Sequence, residues 1–168
     1  FDECFLRALS ENNSRIVIPE SNRITGNIGI EYLIFKYRLN IYAEHFQKIE
    51  HNLLGQVDSN LKDIKHVFSH AQGLSQCSNF IKKNNFIEHV RADTAGSAEA
   101  ISKNKIKDQA AIASSLSAKI YKLKTLASNI ENESGNATRF LVMGKEVYQP
   151  DFSNKKYITS FLFKLKSK

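Results

Sequence analysis

The chain has 168 residues, 42% of them hydrophobic and 24% charged, with a formal net charge of +7. That length supports one sizeable core or two small lobes, and no apolar run approaches the roughly 18 residues of a membrane-spanning helix, so no membrane partner is expected. No basic segment followed by an apolar stretch opens the chain, so no signal peptide is visible, and Cys4 and Cys77 read as reduced thiols of a cytoplasmic protein.

Apolar periodicity predicts an alternating α/β chain. Residues 1–9 read as a helix with Phe1, Phe5 and Leu9 on one face, and residues 15–18 as a strand stopped by Pro19, which cannot donate to a sheet ladder. A helix over 28–37 is followed by a strand over 39–46 and an extended piece over 49–54. The alternation then becomes regular. Strands are expected over 66–68, 87–92 and 110–113, and helices over 72–83, 94–104 and 114–121. Residues 123–130 look extended, 139–143 form a strand, and 158–165 another beyond a connector containing Pro150. Short strands alternating with helices imply parallel sheets covered on both faces. In such sheets ligands bind beyond the carboxyl ends of strands, against helix N-termini.

Four segments fit that rule or carry chemistry. Ser69-His70-Ala71-Gln72 follows a strand and matches a capping box, in which Ser69 accepts from the Gln72 amide; its opening amides also suit a carboxylate. Asp93-Thr94-Ala95-Gly96-Ser97-Ala98 opens the next helix, with Thr94 as the expected N-cap and Gly96 permitting close backbone approach. The loop from Pro19 to Gly26 carries Ser21, Asn22, Arg23 and Thr25, and Arg23 is placed to clamp a carboxylate. Asn136-Ala137-Thr138-Arg139-Phe140 enters a strand. Its threonine is bland by β-propensity, yet a hydroxyl between Asn and Arg suits donation to a leaving group. No metal site is expected: His66 and His70 bracket a strand, and no Cys-x-x-Cys or His-x-x-x-His spacing occurs. No phosphate-cradling Gly-rich loop or nucleophile elbow is present. Charge alone does not separate a nucleic acid, a small anion and a solvated surface. The lysines are dense only at Lys164, Lys166 and Lys168, no nucleic-acid module is recognisable, and no nucleic-acid partner is expected.

Together these segments resemble the prephenate dehydratase family. Its Ser-His-Pro-Gln-Ala-Leu-x-Gln-Cys is similar to residues 69–77, its Asp-Thr-Ala-Gly-Ala-Ala to 93–98, its Ala-Ala-Ile-Ala-Ser to 110–114 and its Asn-x-Thr-Arg-Phe to 136–140. Glu44 and Ile49-x-His51-x-Leu53 also fall on family positions, and the order agrees from about Phe1 to Val142. The resemblance implies an α/β fold of the two-lobed, type II periplasmic-binding-protein kind, with a ligand cleft between lobes. Residues 1–46 with 136–150 would form one lobe and 47–135 the other. Residues 151–168 would be a linker and the first strand of an ACT domain, the family's phenylalanine-binding module, with the chain truncated at both ends. One family loop, Pro-x-Glu-Asn-Ser, falls on Pro19-Glu20-Ser21-Asn22-Arg23, so that Ser21 and Arg23 depart from it while Asn22 matches.

The activity implied is decarboxylative dehydration of prephenate to phenylpyruvate in phenylalanine biosynthesis, without cofactor or metal. Aromatisation supplies the driving force, and Thr138 is the expected catalytic donor to the departing hydroxyl. Asn22, Arg23, Ser69, His70, Ala71, Gln72, Thr94, Ala95, Gly96, Asn136, Arg139 and Phe140 are the expected substrate-binding residues. The family also implies a homo-oligomer and a phenylalanine effector acting through the ACT domain. Two other readings stay open: a non-catalytic small-anion-binding module or inactive dehydratase remnant, and a transport-type solute-binding protein.

Overall fold

The computed structural model describes residues 1–147, 153 and 157–159. In chain order the elements are α1 (Asp2–Ser10), β1 (Ile16–Asn22), β2 (Gly26–Asn27), α2 (Glu31–Tyr37), β3 (Asn40–Lys48), β4 (Asn52–Gly55), a 3-10 turn (Leu61–Asp63), β5 (His66–His70), α3 (Ala71–Gln76), α4 (Ser78–Lys83), β6 (Ile87–Arg91), α5 (Thr94–Asn104), β7 (Gln109–Ala113), α6 (Ser115–Tyr121), β8 (Lys124–Ala127) and β9 (Ala137–Gly144). They form two compact units. Unit 1 is Phe1–Gln47 with the chain from Ala137 onward, and unit 2 is Lys48–Asn136. The strand expected over 158–165 and the ACT segment containing it lie outside the described residues, apart from 153 and 157–159. No helix among the described residues is long and apolar enough to cross a membrane.

Unit 1 is one sheet of order β2-β1-β9-β3. Helix α1 carries Asp2 and Glu3 in its first turn and Arg7 in its last, which complements its dipole. It buries Phe5 and Ala8 against Ile30, Leu33 and Ile34 from α2 and its N-terminal flank, and against Ile18, Leu141 and Met143 of the sheet. The strand over 15–18 does not stop at Pro19 as expected. It continues to Asn22, and its antiparallel register with β9 shifts between Pro19 (opposite Phe140) and Ser21 (opposite Arg139). Glu20 is the extra residue of that bulge, and a bulge is one of the few places in a sheet where proline is tolerated.

Unit 2 is a five-stranded sheet of order β6-β5-β7-β4-β8. Period-2 alternation sends neighbouring side chains to opposite faces. Leu53, Val67, Ala110 and Ile112 pack with Leu74, Cys77 and Ile81 of the α3–α4 layer. Leu54, Phe68, Ala111 and Ala113 pack with Ala98, Ile101 and Ala118 of the α5–α6 layer. Both faces are covered, but the sheet is mixed rather than parallel: β5 runs parallel to β6 and β7, whereas β4 is antiparallel to β7 and β8. Strands reached through a helical crossover share one direction. The odd strand, β4, comes from β3 of the other sheet and is joined to β5 through a 3-10 turn, with no α-helical crossover between them.

The single helix expected over 72–83 is broken at Cys77, whose φ of −113° and ψ of 13° leave the helical range. The cause lies more than 50 residues downstream in Asn132. Its amide donates to the Gln76 carbonyl (2.6 Å), its Nδ2 donates to Ser75 O (3.2 Å) and Ser78 Oγ (3.0 Å), and its Oδ1 accepts from Asn79 N (3.0 Å). One side chain thus terminates α3 and caps α4. Beside it, His51 Nε2 pairs with Gln76 Oε1 at 2.7 Å while the His51 amide donates to Glu131 at 3.0 Å. Replacing Asn132 with Ala should cost about 1–2 kcal/mol, the scale of a lost cap, read as a lower urea midpoint at constant slope; an unchanged midpoint would remove Asn132 from this role.

Cys77 is fully buried in this layer and Cys4 is exposed, with no disulfide between them. Burial, with the Glu131 charge nearby, pushes the Cys77 thiol up to about 12. Because the thiolate is the nucleophile, a thiol reagent at pH 8 should label Cys4 in the native protein and Cys77 only after denaturant is added. Two rapidly labelled thiols under native conditions would contradict this burial.

Candidate active site

In unit 1 the β1–β9 register sets Asn22 opposite Thr138 and Ser21 opposite Arg139. The Asn22 carbonyl oxygen accepts from Ile24 N (3.0 Å), Thr25 N (3.1 Å) and Thr25 Oγ1 (3.3 Å), so the turn after β1 holds the amide in one orientation. Its Nδ2 then donates to Thr138 Oγ1 at 3.0 Å. With the hydroxyl oxygen acting as acceptor there, the Thr138 proton is directed elsewhere.

Arg139 is half-buried between two carboxylates. Its Nε donates to Glu44 at 2.7 Å, and its Nη1 lies 3.3 Å from Glu20, which also accepts from Ser21 Oγ at 2.6 Å. The Arg139 charge is thus faced by two acids within the fold, and its side chain braces the strand that carries Thr138. Glu20 is a residue that pattern reading missed, because its role depends on the bulge that re-aims it across the strand pair. The Arg23 amide donates to Ala137 O at 2.9 Å, which joins the turn to the base of β9. Phe140, opposite Pro19, is partly buried sheet packing.

Asn136 is 2% exposed, its backbone carbonyl accepts from Ile49 N at 2.9 Å, and its side-chain oxygen is buried with no hydrogen-bond partner among the described residues. An unpaired buried acceptor costs about 1–3 kcal/mol. A donor from a ligand would relieve that cost.

In unit 2 the two predicted turns lie side by side. They leave the carboxyl ends of the parallel strands β5 and β6, where His70 is level with Arg91. Gly73 shows how close they are: a Cβ there would sit 2.8 Å from Ser69 Oγ and 3.6 Å from Thr94 Cγ2. Both caps differ from expectation. Ser69 is fully buried and donates to Ile112 O at 2.7 Å, so it neither caps α3 nor offers a hydroxyl to a ligand. The cap is His70, whose Nδ1 accepts from Gln72 N at 3.2 Å. Likewise Asp93, not Thr94, caps α5: its Oδ1 accepts from Gly96 N at 2.5 Å and its carbonyl accepts from Ser97 Oγ at 2.7 Å. The Gly96 amide is therefore committed. Ala71, Gln72 and Ala95 are exposed, and Thr94 is partly so. No group of three or more His, Cys, Asp or Glu among the described residues could hold a metal ion.

The sequence pattern of the family described as prephenate dehydratase matches residues 1–148. Arogenate dehydratase 2 of Petunia hybrida is 38% identical over 90% of this chain and 38% of its own length. The prephenate dehydratase of Methanocaldococcus jannaschii is 37% identical over 93% of this chain and 57% of its own. Among solved structures, the Staphylococcus aureus prephenate dehydratase superposes with a TM-score of 0.75 and 28% identity, covering 87% of this chain and 54% of that one. The chain thus spans between about two-fifths and three-fifths of the length of these relatives. Its α/β fold is of the type II periplasmic-binding-protein kind. Matched over nearly all of its described length, the chain belongs to the prephenate dehydratase family.

Proposed function

We propose that this chain carries the decarboxylative dehydration of prephenate to phenylpyruvate, a step of phenylalanine biosynthesis, with Thr138 assisting the departing hydroxyl. The observation that carries the reading is the Asn22–Thr138 hydrogen bond, which leaves the threonine proton free to donate. In the reaction the bond from the ring to its carboxylate breaks, carbon dioxide leaves, and that electron pair enters the ring. The C–O bond at the opposite ring carbon then breaks, and the oxygen leaves as hydroxide to be protonated. Aromatisation drives both steps, so neither a nucleophile nor an external oxidant is needed. A threonine hydroxyl is too weak an acid to protonate the leaving group outright. Its contribution is a hydrogen bond that strengthens as negative charge develops on oxygen.

The buried Asn136 Oδ1 suits a donor on the substrate, and Arg139, held by Glu20 and Glu44, keeps the Thr138 strand in place. For the carboxylates, the amides of Ala71 and Ala95 at two helix starts are the proposed donors. With Nδ1 accepting from Gln72 N, a neutral His70 carries its proton on Nε2 and adds a further donor. Arg23 supplies charge from the turn after β1. Ser69 and the Gly96 amide are left out, being committed within the fold. Relatives are named for arogenate as well as for prephenate. The net charge of +7 favours prephenate, the more anionic of the two. The cytoplasm is the proposed location, in keeping with two free thiols.

A non-catalytic binding module remains the second reading. It is favoured by Ser21, which binds Glu20 in a loop where the family pattern has a glutamate. Assaying phenylpyruvate formation from prephenate, with arogenate in parallel, separates the two. Turnover should fall by about 100-fold or more in Thr138→Val with KM nearly unchanged, the scale of a lost transition-state donor. Thr138→Ser should retain most of the activity. Valine turnover within a few-fold of the parent would remove Thr138 from the mechanism, and saturable prephenate binding without turnover would support the binding module. Asn22→Ala should lower kcat less than Thr138→Val, because it frees the hydroxyl to rotate without deleting it; an Asn22→Ala enzyme with parental kcat would show that the orientation does not matter.

A further inference from the structure

Unit 2 contains a pocket of about 340 Å³ along one flank of α5, within the usual range for small-molecule sites. It follows positions 93, 96, 97, 100, 101 and 104, a continuous helical stripe about 16 Å long at 1.5 Å per residue. Its chemistry changes along that length. Arg91 and Asp93 stand at one end, the middle is walled by Phe68, Ala100 and Ile101, and Asn104 and Gln109 supply amides at the other.

The charged end is open to a ligand in two senses. The Arg91 guanidinium lies 5.2 Å from the centre of the Phe68 ring and has no ion-pair partner among the described residues. Asp93 caps α5 through Oδ1 alone and is not ion-paired with Arg91. The Phe68 ring is itself fixed, stacked on His89 at 4.5 Å and 13°. A simple anion would be drawn to Arg91 and repelled by Asp93, and a simple cation the reverse. A molecule carrying both charges on adjacent atoms, with an apolar group behind them, satisfies both residues and the apolar wall together.

We propose that this pocket binds a free α-amino acid with an apolar or aromatic side chain. Arg91 takes the carboxylate, Asp93 Oδ2 takes the ammonium, and the side chain lies against Phe68 and Ile101. This ligand would use side chains of unit 2 alone, and Thr138 takes no part in holding it.

The test is amide NMR of the 168-residue chain titrated with L-phenylalanine and L-leucine. Two analogues each lack one charge: 3-phenylpropanoate and 2-phenylethylamine. Saturable shifts are expected at Arg91, Ala92, Ser97 and Ala100 with both amino acids, and binding of either analogue about tenfold weaker or worse, the scale of a lost charge-assisted bond. Arg91→Met keeps an unbranched stem on the Phe68 ring, and Asp93→Asn keeps the helix cap. Each should weaken L-phenylalanine binding at least tenfold while leaving distant amide signals in place. In Thr138→Val the titration should be unchanged even if turnover is lost. No saturable shift at millimolar amino acid would overturn the proposal, as would analogues binding as tightly as L-phenylalanine, shifts that map away from α5, or an Arg91→Met variant that binds like the parent.

Discussion

The antiparallel pairing of β1 with β9 is the constraint on which unit 1 depends. It joins strands more than 100 residues apart and fixes, in one register, Ile16 against Met143 and Asn22 against Thr138. Because side chains alternate with period 2, a slip of one residue would turn Ile18 and Leu141 out of the core and Thr138 away from Asn22 together. The bulge at Glu20 gives the same register a second consequence. It absorbs Pro19 without a missing ladder bond in mid-strand, and it swings a carboxylate onto Arg139. Core packing and the orientation of one hydroxyl are thus consequences of a single alignment.

Unit 2 rests on a different device, a sheet whose neighbouring residues face opposite layers. Leu53 and Leu54, Val67 and Phe68, and the alternating alanines of β7 each divide between the α3–α4 and α5–α6 faces. The small side chains of Ala111 and Ala113 let α5 and α6 approach the sheet closely. The starts of α3 and α5 are adjacent because both follow the carboxyl ends of the paired strands β5 and β6, with Gly73 leaving room between them.

In both units the polar residues the family pattern singles out have divided between those paired within the fold and those that keep a group unpaired among the described residues. Ser69, Asp93 and Arg139 satisfy backbone amides, a carbonyl or carboxylates. Among the described residues, Thr138, Asn136 and His70 keep a donor or acceptor without a partner. Buried polar groups must be paired to be tolerated. A buried serine such as Ser69 is therefore spent on the structure, whereas a partly exposed threonine can be held by one partner and still act on another molecule.

Much of this was determined by sequence alone, because it is local. The helix over 94–104 and the strand cores at 66–68, 87–91 and 110–113 follow from apolar period and turn residues a few positions away. The segments at 69–72, 93–96 and 136–140 were legible as family motifs for the same reason. What only tertiary structure decided are matters of distant partners. The reversed direction of β4 rests on its pairing with the distant strands β7 and β8, and the break at Cys77 on a side chain at Asn132. The caps passed from Ser69 to His70 because the serine lies 2.7 Å from the Ile112 carbonyl on a neighbouring strand. Propensity and capping patterns carry no term for a hydrogen-bond partner 43 or 56 residues away, and the energy of such a bond exceeds the small local preferences that sequence reading sums.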